Sequence, residues 1–195
     1  MYVIYNEESG ELLRSVSTSV DKIEFQLSAG EQFLEIEHVG PGEHYVQNGE
    51  LVPFPAKPSP HHDWDWPTKS WLPNLDAARE SKLQQVTAEL NKRLYLPCNG
   101  FDADKTSRER ISGMIARLQR GDGLPAGWMG WRDAGNAYHW ADDDAATVLA
   151  NLTALSRAIE DREQALLVAG WTHKANIAAL TDIHAILAYD VTTVW

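Results

Sequence analysis

The chain has 195 residues, of which 44% are apolar, and these values fit one sizeable globular domain or two small ones. Its formal net charge of −11 argues against nucleic acid or an anionic membrane as the main partner, because phosphate binding needs clustered Lys and Arg. Cys98 is the only cysteine, which excludes an internal disulfide and a thiolate metal cluster and leaves packing as its expected role.

The first 55 residues have strand character, with turn signals at short intervals. The β-prone runs are MYVIY, ELLRSVSTSV and FLEIEHV, and the last of these alternates partially between apolar and polar residues. A further run, HYVQNGELVPF, contains Asn48 and Gly49, a pair that favours a hairpin because both turn residues must take positive φ. Residues 23–27 fit either a strand or a helical turn. The sequence therefore predicts a small antiparallel β domain over residues 1–55.

Residues 56–74 form a predicted connector, because prolines recur at short intervals and disfavour both helix and central strand. The connector also carries Trp64, Trp66 and Trp71, whereas a plain spacer would be polar, so we expect it to lie against a surface. On an extended segment Trp64 and Trp66 project to the same side, and we interpret the three tryptophans as partner-docking residues. The alternative is that their rings fold back onto this chain's own domains.

Residues 75–195 are predicted to form a helical domain of about four helices, which makes the chain an α+β protein. The predicted helices begin at residue 74 or 76, 106, 143 and 171 and end near residues 94, 120, 169 and 188. Three aspartates precede the third helix, Asp142, Asp143 and Asp144, and we expect them to cap it rather than to bind a metal. Narrow apolar seams on the first and third helices also suit packing against a second copy.

A connection rich in glycine and tryptophan separates the second and third predicted helices. Its glycines and Pro125 prevent a helix, and it contains Trp128, Trp131 and Trp140. Such large side chains on a loop pack either onto the elements that the loop joins or onto another molecule. We therefore expect these tryptophans to anchor the loop or to form a contact surface for a sugar or a protein partner.

No catalytic, cofactor or metal site is predicted. Four neighbouring residues have the composition of a metal site, namely His61, His62, Asp63 and Asp65. Adjacent histidines on an extended chain point in opposite directions, however, which disfavours joint binding of one ion. Three other histidines lack a Ser, Cys or carboxylate at a spacing typical of a nucleophile, namely His139, His173 and His184. The sequence therefore predicts a protein that is not an enzyme.

Residues from about 77 to 181 resemble a domain family of undefined biochemistry that is found in tail and tail-fibre-region proteins of bacteriophages. The likeness is carried by NKRLYLP, by NGFDADKTSRERISGMI, by WMGWRDAGNAYHW with Asn136, and by the long helix that contains Arg162. Residues 1–58 are similar to the N-terminal part of phage tail-fibre and fibre-assembly proteins, in which a run such as EHYVQNGELVPFP leads into prolines.

The resemblance implies a component of the virion tail or baseplate whose partners are other tail, baseplate or fibre proteins. The N-terminus lacks the features of a signal peptide, so we expect synthesis in the bacterial host cytoplasm. No repetitive shaft or receptor-binding tip precedes Trp195, which favours an adaptor between tail and fibre over a whole fibre. The alternatives are a fibre-assembly chaperone and a carbohydrate-binding or hydrolytic module. We also expect self-association, with a trimer as the leading stoichiometry because fibres commonly are trimeric.

Overall fold

The computed structural model describes residues 1–36 and 42–195, which form two compact units, Met1–Asn74 and Leu75–Trp195. Unit 1 contains an antiparallel three-stranded sheet and smaller hairpins, and unit 2 is mainly helical. The predicted α+β fold class is therefore confirmed. Residues 56–74, which we expected to be a separate connector, lie within unit 1.

The first sheet of unit 1 is built around its most apolar strand. Strand β1 (Tyr2–Asn6) lies between β2 (Leu12–Val16) and β3 (Glu31–Glu35), and both pairings are antiparallel. A short helix, α1 (Val20–Ile23), and a 3-10 turn (Glu24–Gln26) follow β2, so the segment left open between strand and turn is helical. Residues 37–39 of the predicted third strand lie outside the described residues.

Two hairpins complete unit 1. Strands β4 (His44–Gln47) and β5 (Glu50–Pro53) pair across Asn48 and Gly49, whose φ values of 54° and 77° confirm the predicted turn. Strands β6 (His62–Asp65) and β7 (Ser70–Pro73) form the second hairpin. The expectation of an unpaired, polyproline-like connector is wrong for these residues. The prolines are compatible with the hairpin because Pro67 lies in the turn and Pro73 ends its strand.

Unit 2 contains one long helix rather than the two that the sequence predicted there. Its helices are α2 (Leu75–Leu94), α3 (Lys105–Gln119), α4 (Ala145–Ala179) and α5 (Ile183–Ala188). Helix α4 continues through residue 170, where the sequence predicted a boundary between two helices. Gly170 is buried, and a Cβ added there would lie 3.5 Å from the Leu90 side chain. Of the three aspartates expected to cap this helix, Asp144 is the N-cap and accepts a hydrogen bond from the Thr147 backbone N–H at 2.7 Å.

The predicted apolar seams pack against elements of the same chain. On α2, Val86 is fully buried together with Ile177 of α4 and Val191. The α4 seam buries its side chains against α3, including Ile111 and Leu118. Self-association therefore stays a prediction, and these two seams no longer support it. Cys98 lies buried in the same cluster as the α4 seam, where it acts as a packing residue.

Candidate functional site

The three tryptophans of the predicted connector form one aromatic cluster with the neighbouring hairpin. The Trp64 ring lies 5.2 Å from Trp71, 6.2 Å from Trp66, 5.3 Å from Tyr45 and 4.7 Å from Phe54 between ring centroids. All three tryptophans are half-buried, and Trp64 and Trp66 share one side as expected. Their rings thus fold back onto unit 1, the alternative to docking. Docking of a partner on their exposed faces stays a prediction.

Two lysines border this cluster and lie over its rings. The Lys69 ammonium lies 5.1 Å from the Trp66 ring and also donates a hydrogen bond to the Ser9 carbonyl. Lys57 lies 5.2 Å from the Trp71 ring, whose Nε1–H donates to the Pro55 carbonyl at 2.8 Å. A cation over the face of a tryptophan is attracted by the negative charge of the ring face.

The histidines and aspartates of residues 61–65, most of which belong to β6, are held by local hydrogen bonds. His62 is buried and its Nδ1 lies 2.8 Å from the Ser59 hydroxyl, while the Asp63 carboxylate accepts from Asn74 at 2.6 Å. Hydrogen bonds from the Thr68 hydroxyl and backbone N–H lower the pKa of Asp65. Within residues 1–36 and 42–195, no three His, Cys, Asp or Glu side chains are grouped as a metal ion would require.

The tryptophans between α3 and α4 anchor the connection to the helical core. The Trp128 Nε1–H donates to the Trp140 carbonyl at 3.0 Å, and the Trp140 ring stacks on Phe101 at 5.2 Å. Trp131 begins a short strand, β8 (Trp131–Arg132), that pairs with β9 (Tyr138–His139). All three rings pack against the buried α3–α4 cluster, so loop anchoring, one of the two expected roles, is what the structure shows.

The β8–β9 hairpin creates a pair that sequence reasoning missed. His139 Nε2 lies 2.7 Å from the Asp133 carboxylate, which also accepts the Ala137 backbone N–H at 2.8 Å. Hydrogen bonding to His139 lowers the pKa of Asp133. Asn136, at φ 67°, provides the turn that brings the two side chains together. Such a pair orients an imidazole, but in the part of the chain that the structure describes no Ser, Thr or Cys side chain hydrogen-bonds to it.

A cavity of about 230 Å³ lies beside this hairpin, at the N-terminal turn of α3. Its lining mixes aromatic, charged and hydroxyl side chains, namely Asp102, Ser107, Arg110, Trp128, Gly130, Trp131 and Arg132. Asp104 caps α3 by accepting hydrogen bonds from Ser107, which lower the pKa of Asp104 and fix Ser107 at the cavity wall. The sequence signal for this site was the tryptophans alone, because the arginines reach it only through the fold.

Each unit also exposes large apolar side chains that the sequence did not indicate. In unit 1, Phe25 is 87% exposed and Val20 is 65% exposed. In unit 2, Trp171 is 61% exposed and Val168 is 54% exposed, both on α4. Single exposed apolar side chains are common on protein surfaces, and it is neighbouring ones, such as Val168 and Trp171 one helical turn apart, that are typical of places where another molecule binds.

Comparison with protein families identifies the helical unit. The family model described as Domain of unknown function (DUF4376) matches residues 77–193, which lie within unit 2. No curated protein and no solved structure matches the chain. Among the described residues, no helix is long and apolar enough to cross a membrane.

Proposed function

The chain belongs to the DUF4376 family, whose function is unknown, and we propose that it is a structural adaptor connecting a bacteriophage tail or baseplate to tail fibres. One support is the resemblance of its two parts to phage tail-region and fibre proteins. The observation that carries the proposal is that each compact unit has its own exposed apolar side chains, Phe25 in unit 1 and Trp171 in unit 2. A protein that holds two partners together needs one contact surface for each.

The surface of unit 2 suits a partner helix. Val168, Trp171, Ala175 and Ala178 are all exposed on α4 and follow the alternating three- and four-residue spacing of a coiled-coil seam. Trp171 is the natural anchor, because tryptophan is enriched among the residues that contribute most to binding. Lys174 flanks the seam, so we propose an amphipathic helix of another tail protein with acidic residues beside its apolar stripe.

The surface of unit 1 is smaller and lies on the helical segment between β2 and β3. Phe25 belongs to the 3-10 turn and Val20 to α1, and both project into solvent although buried Ile23 of the same segment packs into the core. This segment buries the side chain of Ile23 and exposes those of Val20 and Phe25, so part of its apolar area is not covered by its own sheet. We propose that the second partner, a fibre protein, covers Phe25.

The test is the composition of purified particles assembled in cells that express the chain. We expect the chain at a fixed stoichiometry in tails, and we expect Trp171→Ser or Phe25→Ser to remove it without changing the unfolding temperature of the isolated protein. Val194→Ser is the matched control, because Val194 is 83% exposed but lies outside both surfaces. A chain required for assembly yet absent from finished particles would contradict the adaptor and identify the assembly chaperone instead.

The same experiment bears on self-association. If the isolated protein sediments as a trimer and Trp171→Ser makes it a monomer, the exposed face of α4 around Trp171 forms contacts between copies instead. Monomeric sedimentation together with incorporation into tails would leave that exposed face to a different protein.

A further inference from the structure

The cavity beside β8 concentrates unpaired positive charge in an acidic protein. Arg110 and Arg132 line it, and neither guanidinium forms an ion pair or hydrogen bond with any residue that the structure describes. Most other arginines of unit 2 are held by carboxylates or carbonyls, as Arg108 is by Glu163 and Arg162 by the end of α2. A guanidinium presents a planar fork of donors that matches a carboxylate, so two unpaired forks in one cavity indicate an anionic ligand.

The same cavity offers an aromatic wall that is fixed in place. The Trp128 indole N–H is engaged by the Trp140 carbonyl, which holds the ring against the core. Trp131 is held by pairing of β8 with β9. Gly130, at φ 100°, lies between the two tryptophans in close contact with the β9 backbone, since a Cβ there would lie 2.4 Å from the His139 carbonyl oxygen. Rigid aromatic rings lose little conformational entropy when a ligand stacks on them.

The cavity also offers acceptors for hydrogen-bond donors of a ligand. Asp102 lines it, is exposed, and has no hydrogen-bond partner among residues 1–36 and 42–195. The Ser107 hydroxyl already donates to Asp104, so it faces a ligand as an acceptor. An acidic peptide would satisfy the arginines, and its backbone N–H groups can donate to Asp102, but it offers no ring to pack against Trp128 and Trp131. A ligand with both a carboxylate and hydroxyl groups satisfies every side chain.

We propose that this cavity binds one residue of an acidic saccharide, a pyranose ring that carries a carboxylate. The carboxylate pairs with Arg110 and Arg132, hydroxyl groups donate to Asp102 and Ser107, and the ring packs against Trp128 and Trp131. The volume of about 230 Å³ lies below the range of roughly 300–1,000 Å³ typical of drug-sized ligands, which suits a single sugar ring. This site is independent of the two apolar surfaces and so goes beyond the adaptor proposal.

The experiment is a titration of the full chain with D-glucuronate and with N-acetylneuraminate, followed by NMR of the tryptophan indole and arginine side-chain N–H groups. We expect saturable shifts at Trp131, Arg110 and Arg132 with at least one acidic sugar. D-glucose, which lacks the carboxylate, and acetate, which lacks the ring, should each bind at least tenfold more weakly.

Arginine variants identify the site without disturbing the fold, because both side chains are exposed. Arg110→Gln and Arg132→Gln should each weaken binding of the acidic sugar at least tenfold. Arg157→Gln is the matched control, since Arg157 is also exposed on unit 2 but does not line the cavity, and it should bind as the wild type does. No saturable binding of either sugar, equal binding by the Arg110→Gln variant, or tighter binding of an acidic tetrapeptide would overturn the proposal.

Discussion

Trp64 and Trp71 face each other across the β6–β7 hairpin, with ring centroids 5.2 Å apart and ring planes inclined at 71°. An edge-to-face pair of this kind adds to the stability that area burial gives, because the positive edge of one ring meets the negative face of the other. The hairpin therefore owes its stability to the very residues that we interpreted as docking residues. Its aromatic contacts extend to Phe54 near the end of β5, which joins the two hairpins of unit 1.

Replacing Trp64 with Ala should destabilise unit 1. Because the ring is half-buried, we expect a loss of about 2 kcal/mol in the free energy of unfolding, less than for a fully buried tryptophan. Chemical denaturation followed by tryptophan fluorescence measures this loss. Leu72→Ala, an exposed residue of the same hairpin, is the control and should cost little. Unchanged stability with lost incorporation into tails would instead support docking by Trp64.

Arg162 should stabilise the junction after α2. It donates hydrogen bonds to the carbonyls of Leu96 at 2.8 Å and Pro97 at 2.9 Å, and also to the Arg93 carbonyl. Carbonyl groups at a helix C-terminus lack partners within the helix, so a guanidinium there satisfies several at once. We expect Arg162→Ala to lower the free energy of unfolding by about 2 kcal/mol and Arg162→Lys to restore only part of it.

Urea denaturation of unit 2, monitored by helical circular dichroism, measures the effect of Arg162. Arg157→Ala is the matched control, five residues away on α4, and should change stability by less than about 0.5 kcal/mol. Equal stability of the Arg162 and Arg157 variants would show that water replaces the guanidinium without cost.

The Arg14–Glu31 pair predicts a loss of stability in acid. Arg14 donates to both Glu31 oxygens at 2.6 Å, and this hydrogen bonding, followed by that of the Ser28 backbone N–H, lowers the pKa of Glu31 from 4.5 to about 2. A carboxyl whose pKa falls on folding stabilises the protein above its unfolded pKa and loses that contribution as pH falls through its folded pKa. The contribution is therefore lost between about pH 4.5 and pH 2.

Stability curves of wild type and Glu31→Gln over that pH range test this prediction. The amide cannot titrate, so the variant should be less stable at neutral pH and should lose less stability on acidification. The Arg14→Gln variant should behave similarly, because the same pair is broken. Parallel curves for wild type and Glu31→Gln would mean that other carboxylates account for the acid sensitivity.

Features set by short-range chemistry could be predicted from the sequence, and features set by packing could not. The Asn48–Gly49 turn and the Asp144 cap follow from the conformations and hydrogen bonds of a few adjacent residues. By contrast, Asp133 meets His139 only because a hairpin folds between them. The arginines of the cavity beside β8 come from α3 and β8, which are distant in sequence, so only the tryptophans indicated that site.

Gly170 shows the same limit and leads to the last prediction. The sequence predicted that one helix ends near residue 169 and the next begins at residue 171, yet α4 is continuous, and buried Gly170 faces Leu90 and Trp195. A Cβ added there would lie 3.5 Å from Leu90 Cδ2 and 3.7 Å from the Trp195 ring, which are ordinary contacts. Since alanine is a better helix former, Gly170→Ala should stabilise unit 2 by about 0.5–1 kcal/mol.

The comparison that tests this is thermal unfolding of Gly170→Ala beside Gly170→Leu and Gly10→Ala. The leucine is too large for the space against Leu90 and should destabilise unit 2. Gly10 has φ 74°, and a Cβ there would lie 2.0 Å from the Val46 carbonyl oxygen, so Gly10→Ala should destabilise unit 1. If Gly170→Ala instead lowered the unfolding temperature, the space beside Leu90 and Trp195 would be too small for a methyl group and the prediction would be wrong.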